Sequence, residues 1–305
     1  MSTVDVQPKK HKNETWREMK KNKGAYLLIS PFFIIFLIFG LFPILFSIYL
    51  ALSSWDGIGT MEFVGLRNFE FLLTDPLFWK SIANTFIIFI ISTIPMIFLA
   101  LVVAFLLNSS FVKFRGFYKT LYFLPNVTAI VAVAIVFSVI FSPSYGFVNY
   151  IITLLGFDAI NWHNNAIGVK VAVAAMVIWR WTGYNAIIFL AGLQKIPNSL
   201  YEAARIDGAS TFQIFTKITI PLLRPVMLFV VITSTIGGMQ IFAEPQLLVG
   251  NSGGAGGEGL TIVLYLYQQA FVKNLYGYGS AIAIGLFIII MLFSLFNWKV
   301  VQRKK

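Results

Sequence analysis

Long apolar stretches alternate with short polar ones along most of the chain. A helix needs about 20 apolar residues to cross roughly 30 Å of hydrocarbon. Six stretches meet that length, at about residues 26–50, 81–107, 118–141, 168–191, 222–243 and 277–298. The first has an apolar core well beyond the roughly 7–15 residues of a cleaved signal peptide, so we expect it to be retained. The pattern predicts an all-α polytopic membrane protein with six transmembrane helices.

The fifth stretch is more polar than the other five. Thr233, Ser234 and Thr235 follow one another in it, and Gly237 and Gln240 come soon after. Small and hydroxyl-bearing residues are typical of a helix that packs among other helices or faces a water-filled path. We therefore expect this helix to avoid the lipid.

The composition agrees with a membrane environment. The chain is 58% hydrophobic and 11% charged, whereas soluble domains carry roughly 25% charged residues. It contains no cysteine, which excludes disulfides, cysteine-bound metals and thiol nucleophiles. The two histidines, His11 and His163, each stand alone in a polar stretch. We expect them to be solvated loop residues, and no metal site is predicted.

The charges predict an orientation. Lys and Arg number 18 in the two termini and the 108–119 and 192–225 connections, against 4 in the alternate loops. By the positive-inside rule both termini are then cytoplasmic. The net charge of +11 therefore reflects topology and anionic lipid headgroups rather than nucleic acid. The predicted organisation is a basic cytoplasmic segment at 1–25, a membrane domain at 26–298 and a basic tail at 299–305.

The predicted outer loops differ in character. Asp75 and Pro76 supply an N-cap and a first-turn proline for the second long helix. Segment 143–160 has apolar residues at helical spacing but is too short to span, so it is expected to lie at the interface. Loop 250–259 is rich in glycine but lacks the lysine and following helix of a phosphate cradle. It is expected to be a flexible loop.

The pattern of the 192–225 connection predicts two capped helices. Ser199 with Glu202, and Ser210 with Gln213, both fit the capping-box pattern at helix starts. Gly208 lies between them, where a left-handed C-terminal cap is expected. The segment also carries more apolar side chains than a solvent loop should expose, which indicates a partner site.

The run from Glu202 to Ala209, EAARIDGA, with Ile220-Pro221 and Pro225 downstream, resembles the EAA loop of ATP-binding-cassette importer permeases. The stretches 63–79, 114–126, 179–197 and 261–271 are similar to the carbohydrate branch of that family, in particular to the larger maltose permease subunit. The resemblance covers about residues 25 to 300. It implies a type I ABC importer permease fold of six helices, with a coupling loop at 197–221 and a place in the bacterial inner membrane.

The resemblance also implies partners. They are a second, homologous permease, two ATPase subunits that bind ATP and magnesium, and a periplasmic or extracellular sugar-binding protein. In this reading the loop docks on an ATPase. The alternative is that Glu202 only caps its helix and Asp207 only solvates the turn. The residues that match the motif are Glu202, Ala203, Ala204, Asp207 and Gly208.

The chain contains no G-x-x-x-x-G-K-[ST] motif, so ATP is not expected to bind here at a P-loop and no cofactor is assigned to this chain. No enzyme activity is predicted. The acidic residues fall in termini or loops, with Glu244 close to a span end. Ion-coupled carriers usually keep carboxylates within the membrane, which counts against the alternative of an ion-coupled secondary sugar transporter or channel.

One charge, Arg180, lies within a predicted span between two tryptophans. It either forms a polar wall of a transport path or anchors helices and subunits, because an intramembrane charge must be paired. Sugars present apolar C–H faces and hydroxyls, which suit aromatic, amide and hydroxyl side chains. Besides Arg180, the candidate substrate-path residues are Asn126, Thr128, Trp181, Tyr184, Asn185, Ser234 and Gln240.

Overall fold

The computed structural model describes residues 12–109 and 112–302. His11, Ser110 and the last three residues of the basic tail lie outside the described residues. The α-helices are α1 Lys12–Lys21, α2 Lys23–Phe36, α3 Phe42–Ala51, α4 Arg67–Thr74, α5 Pro76–Asn108, α6 Arg115–Val127, α7 Ile130–Ile140, α8 Phe147–Leu154, α9 Ala166–Leu193, α10 Asn198–Ile206, α11 Thr211–Ile214, α12 Ile220–Leu222, α13 Arg224–Met239, α14 Ala243–Val249, α15 Ile262–Tyr267 and α16 Tyr276–Gln302.

Short irregular elements connect some of these helices. Strands β1 Ser53–Ser54 and β2 Glu62–Phe63 form one antiparallel pair. A 3-10 turn covers Ala255–Gly257, and π-helical turns cover Leu37–Leu41, Phe215–Thr219 and Gln268–Val272. The described structure is therefore almost entirely helical, as the apolar pattern predicts.

The chain divides into two compact units, Met1–Leu50 and Ala51–Lys305. In the first unit, α2, a π-helical turn and α3 follow one another without a break. Together they belong to an apolar helix of 29 residues, Lys23–Ala51, long enough to cross a bilayer. Pro31 lies inside α2, where a neighbouring turn can compensate for the missing backbone donor.

The six predicted spans correspond to four unbroken helices and two bent pairs in the described residues. The unbroken helices are Lys23–Ala51, Pro76–Asn108, Ala166–Leu193 and Tyr276–Lys299. The third predicted span is instead α6 followed by α7, with a bend of 91° between them. The fifth is preceded by Thr211–Leu222, which meets α13 at 71°.

Each bend has a local cause. Pro125 lies in the last turn of α6, and Thr128 then takes an extended conformation at φ −70°, ψ 140°. Proline removes a helical hydrogen bond, so the helix ends soon after it. At the second bend, Leu223 separates α12 from α13, and Pro225 occupies the first turn of α13. Pro221 lies in α12, and the helix of the fifth span begins at Arg224.

The second unit is organised around α5 and α9. These two helices pack along one another, and half of the residues in the most apolar stretch of α9 are buried. Ala172, Val173 and Met176 of α9 contribute to one buried cluster, and Ala186 and Phe189 of the same helix contribute to another. Small residues spaced along α9 permit this close packing, which is how membrane helices associate without a hydrophobic drive between them.

Two of the three predicted N-terminal helix caps are present and one is not. Asp75 caps α5, because its Oδ1 accepts a hydrogen bond from the Leu77 backbone N–H at 2.9 Å. The Ser210–Gln213 capping box is present in both directions. The Ser199–Glu202 box is wrong: α10 begins at Asn198 after Pro197, and no side chain caps it. The helix starts two residues earlier than the pattern requires, so Ser199 lies inside the first turn.

Candidate functional site

A cavity of about 430 Å³ lies in the second unit, between α5, α9, α13 and α14. This volume falls within the roughly 300–1,000 Å³ of typical small-molecule sites. Its wall combines two aromatic side chains of α9 with amide and hydroxyl groups. The uncharged polar and aromatic residues of the wall are Thr93, Trp181, Tyr184, Asn185, Thr233, Ser234, Gln240 and Phe242.

Helix α9 contributes four polar and aromatic residues to the wall, in addition to Val177. Arg180, Trp181, Tyr184 and Asn185 are spaced so that they share one face of the helix. The rings of Trp181 and Tyr184 meet edge to face, with their centroids 5.7 Å apart. The Asn185 side chain donates to the Trp181 backbone oxygen at 3.1 Å. The aromatic edge and the amide are therefore held in place before any ligand arrives.

The opposite wall forms where α13 ends. Helix α13 stops at Met239, and Gln240 follows it at the C-cap. A Cβ added at Gly238 would lie 2.7 Å from the Phe89 ring and 3.1 Å from Thr93 Oγ1. Glycine is therefore required for α13 to approach α5 this closely. The approach brings Thr233 and Ser234 to the same cavity as the α9 face.

One ion pair crosses the cavity wall. Arg180 Nη1 lies 3.1 Å from Glu244 Oε1, and the side chains are 19% and 6% exposed. The guanidinium carbon also lies 5.6 Å from the centre of the Trp181 ring, which adds a cation–π attraction. The pair links α9 to α14, so Arg180 both lines the cavity and joins two helices. The two sequence-based interpretations of Arg180 are thus compatible.

Six of the eight predicted path residues line this cavity, namely Arg180, Trp181, Tyr184, Asn185, Ser234 and Gln240. Asn126 and Thr128 do not belong to its lining. They lie at the 91° bend between α6 and α7, which displaces them from the line that a straight span would follow. Glu244, Thr93 and Phe242 line the cavity but are absent from the sequence-based set. Glu244 could have been found, because a buried arginine needs a partner and this was the acidic residue near a span end.

Helices α10 and α11 form a separate exposed feature, the α10–α11 segment (residues 198–214). Gly208 connects them in the left-handed region, at φ +77°, as expected of a helix C-cap. Ile206 is 87% exposed and Phe212 is 73% exposed. Of the residues that match the EAA motif, Glu202, Ala203, Asp207 and Gly208 are exposed, whereas Ala204 is buried. The Ala204 side chain therefore packs into the second unit, whereas the other four residues of the motif face solvent.

Asp75 forms a buried polar cluster at the start of α5. Its Oδ2 accepts hydrogen bonds from the hydroxyls of Tyr265 and Tyr278. Burial alone would raise the pKa of Asp75, but the tyrosine hydroxyls and the backbone N–H groups of Leu77 and Phe78 outweigh it and hold that pKa below its usual value. The cluster ties α5 to α15 and α16.

The glycine-rich loop 250–259 is not the free loop that its composition suggests. Glu258 bridges two lysines, with Lys80 Nζ at 2.9 Å and Lys170 Nζ at 2.5 Å. Hydrogen bonds from Lys170 and Lys80 lower the pKa of Glu258. Asn84 Nδ2 donates to the Gly257 oxygen at 2.9 Å. The prediction of a flexible loop is therefore wrong, because side chains of α5 and α9 hold it.

His163 also differs from expectation. Its Nε2 atom is buried and has no hydrogen-bond partner among the described residues, so it is not a freely solvated loop histidine. Within residues 12–109 and 112–302, no group of three or more His, Cys, Asp or Glu side chains could hold a metal ion.

A family model described as "Binding-protein-dependent transport system inner membrane component" matches residues 97–305. The arabinooligosaccharides transport system permease protein AraP of Bacillus subtilis (strain 168) is 40% identical over 300 residues, covering 97% of this chain and 95% of that protein. The lactose transport system permease protein LacF of Rhizobium radiobacter is 35% identical over 285 residues, covering 92% of this chain and 95% of that protein.

A solved structure has the same fold. It is the crystal structure of a bacterial ABC transporter involved in the import of the acidic polysaccharide alginate. One of its chains matches with a TM-score of 0.81 and 24% identity, and the match covers 96% of this chain and 99% of that one. The expected importer permease fold is therefore confirmed.

Proposed function

Since the chain belongs to the family of binding-protein-dependent transport system inner membrane components, we propose that it forms half of the translocation path of an ATP-driven sugar importer. The observation that supports this proposal is the cavity between α5, α9, α13 and α14, whose wall carries aromatic, amide and hydroxyl side chains. The relatives named for arabinooligosaccharides and lactose support an oligosaccharide as the transported molecule.

The chemistry of the cavity suits a sugar. Trp181 and Tyr184 offer flat apolar surfaces for C–H faces, Gln240 can both donate to and accept from hydroxyls, and Asn185 Oδ1 can accept from them. Ser234 adds a hydroxyl from the opposite wall. A site of this kind orients its ligand with few polar groups on a mostly apolar wall.

The path requires other subunits in this proposal. A second, homologous permease completes it, and two ATPase subunits bind ATP and magnesium. A sugar-binding protein docks at the outer face. A bacterial alginate ABC transporter that contains a chain of the same fold was crystallised in complex with an alginate pentasaccharide-bound periplasmic protein. This chain itself acts as a transport subunit without an ATPase site, with both termini in the cytoplasm.

The α10–α11 segment is the proposed contact with an ATPase. Its exposed apolar side chains, Ile206 and Phe212, are the kind of surface that a partner covers. Glu202, Ala203, Asp207 and Gly208 are exposed around them. Because Ala204 is buried, α10 packs against the rest of the second unit on that side. Movement of α10 would therefore be transmitted to the helices that it contacts. An ion-coupled carrier is disfavoured, because the family is one of binding-protein-dependent transport.

The test is uptake by the complete transporter in proteoliposomes, with ATP inside, the binding protein outside and labelled arabinotriose as the probe. We expect uptake to require ATP and to continue when ionophores collapse the ion gradients. Uptake that stops with the gradients while ATP persists would contradict the proposal and support an ion-coupled carrier.

Two variants test the contact with the ATPase. Glu202→Lys reverses an exposed charge, and Gly208→Pro places proline at φ +77°, which its ring cannot adopt. We expect either to reduce uptake at least roughly tenfold while the complex keeps its elution profile. Glu18→Lys, an exposed charge reversal in α1, is the matched control and should leave uptake unchanged. Normal uptake by Glu202→Lys would exclude the proposed contact.

A further inference from the structure

We infer that the Arg180–Glu244 pair makes the cavity select uncharged saccharides, and that Glu244 is the residue that excludes acidic ones. This inference rests on the proposed function, because it concerns which sugars the cavity accepts. It assigns Glu244 a role in specificity in addition to its role in linking α14 to α9.

The first argument is the charge of the wall. Among the residues that line the cavity, Arg180 and Glu244 are the charged ones, and the others are neutral. The pair therefore leaves the wall with no net charge. Without Glu244 the same wall would carry one uncompensated guanidinium, and a guanidinium is the preferred partner of a carboxylate or a sulfonate.

The second argument is burial. Glu244 is 6% exposed and lies 3.1 Å from Arg180. An acidic sugar could reach the guanidinium only by displacing this carboxylate or by lying next to it. Displacement would leave a buried charge without its partner, and close approach would place two anions together in a poorly solvated site. Both are unfavourable, so the pair rejects anions.

The third argument is that an uncharged sugar meets no such obstacle. A guanidinium carries several N–H donors, and the Arg180 side chain is 19% exposed, so its exposed part keeps donor capacity beyond the bond from Nη1 to Glu244. A hydroxyl oxygen can use such a donor without competing for the carboxylate. The Trp181 ring beside the guanidinium supplies an apolar face next to that donor.

The experiment measures binding to the assembled transporter in nanodiscs, without the binding protein, so that only the path selects. The probes are arabinotriose, lactose, maltotriose and their acidic counterparts of equal length, trigalacturonate among them, in equilibrium dialysis. The quantity compared is the affinity ratio of an acidic to a neutral probe. This ratio is insensitive to a uniform loss of active protein.

For the unmodified protein we expect at least one neutral probe to bind roughly tenfold more tightly than its acidic counterpart. Glu244→Gln should raise the acidic-to-neutral ratio at least roughly tenfold, because it leaves Arg180 unpaired. Arg180→Gln should lower the ratio, because it leaves a carboxylate. Replacing both residues with glutamine should restore the neutral preference. The opposite signs keep the test decisive if one variant fails to fold.

Glu258→Gln is the matched control, because it removes a carboxylate that also pairs with cations but lies outside the cavity lining. It should leave the ratio unchanged. A purely structural pair would make Glu244→Gln less stable without changing the ratio, and that result would overturn the inference while leaving the sugar-import proposal intact. Preference of the unmodified protein for acidic probes would also overturn the inference and leave the sugar-import proposal intact. Failure of every saccharide to bind would overturn both.

Discussion

Two glycines mark the difference between the cavity wall and the α10–α11 segment. At Gly183 in α9, an added Cβ would lie 1.7 Å from the Tyr122 backbone oxygen of α6. At Gly208, an added Cβ would have nothing within 4 Å, but the backbone is at φ +77°. The first glycine is required by a neighbouring helix, and the second by its own backbone conformation.

The same contrast holds for the side chains around these glycines. Around Gly183 the α9 side chains Asn185, Ala186 and Phe189 are buried, so their positions depend on several other helices. In the α10–α11 segment the structure comes from local features, namely a left-handed cap and a capping box. A region held by its neighbours is rigid and provides a preformed site. A region held by its own caps can expose an apolar surface to a partner.

The largest expected effect is at Gly183. Replacement with alanine forces α6 away from α9, because the atom that the Cβ meets is backbone and cannot rotate aside. Overpacking usually costs roughly 1–3 kcal/mol and more when backbone must move, so we expect the protein to be largely lost from the membrane fraction. The measurement is the yield and thermal unfolding of the purified chain.

The matched control for this prediction is Gly116→Ala in α6, where an added Cβ would have nothing within 4 Å and the backbone is helical. Helix propensity predicts a gain of up to about 1 kcal/mol there. If Gly183→Ala and Gly116→Ala behave alike, the close approach of α6 and α9 would be disproved.

A smaller effect is expected from acid. The pKa values of Asp75 and Glu258 are lowered below the ordinary values of these groups, 3.8 and 4.5. Groups with a depressed folded-state pKa stabilise the protein above those values, and the stabilisation is lost as the pH falls through the folded-state pKa. We therefore expect thermal stability to change little from pH 7 to about 5 and to fall below about pH 4.

The variant Glu258→Gln should lose part of this acid response, by about 1 kcal/mol or less, because its ion pairs are partly exposed. The measurement is the unfolding temperature in nanodiscs at a series of pH values. An unchanged pH profile in Glu258→Gln would indicate that the loop is not held by its lysine contacts.

The smallest effect on global stability is expected at the α10–α11 segment. Ser210→Ala removes the side chain that accepts from the Gln213 backbone N–H at 3.3 Å, and loss of a cap costs roughly 1 kcal/mol. Because the cap is local, we expect faster hydrogen exchange in residues 210–214 without a change in the unfolding temperature. Ser199→Ala is the matched control, since Ser199 does not cap α10. Equal effects of the two serine substitutions would contradict the assignment of the caps.

Much of the fold could be predicted because its signals are local. The apolar lengths identify the six spans, Asp75 and Ser210 each cap the helix that directly follows them, and Gly208 ends a helix by its own conformational freedom. The motif from Glu202 to Ala209 identifies the family on its own. Six of the eight candidate path residues also line the cavity, because four of them are spaced along α9 so that they share one face.

What the sequence did not determine depends on distant parts of the chain. Pro125 ends α6 locally, but the 91° bend that carries Asn126 and Thr128 off the cavity wall is seen only in the three-dimensional structure. The pairing of Arg180 with Glu244 joins residues 64 positions apart. Loop 250–259 is likewise held by side chains of α5 and α9, which are distant from it in sequence. Caps and spans arise from neighbouring residues in the chain, whereas charge pairs and close helix contacts arise from packing, so only the tertiary structure decides them.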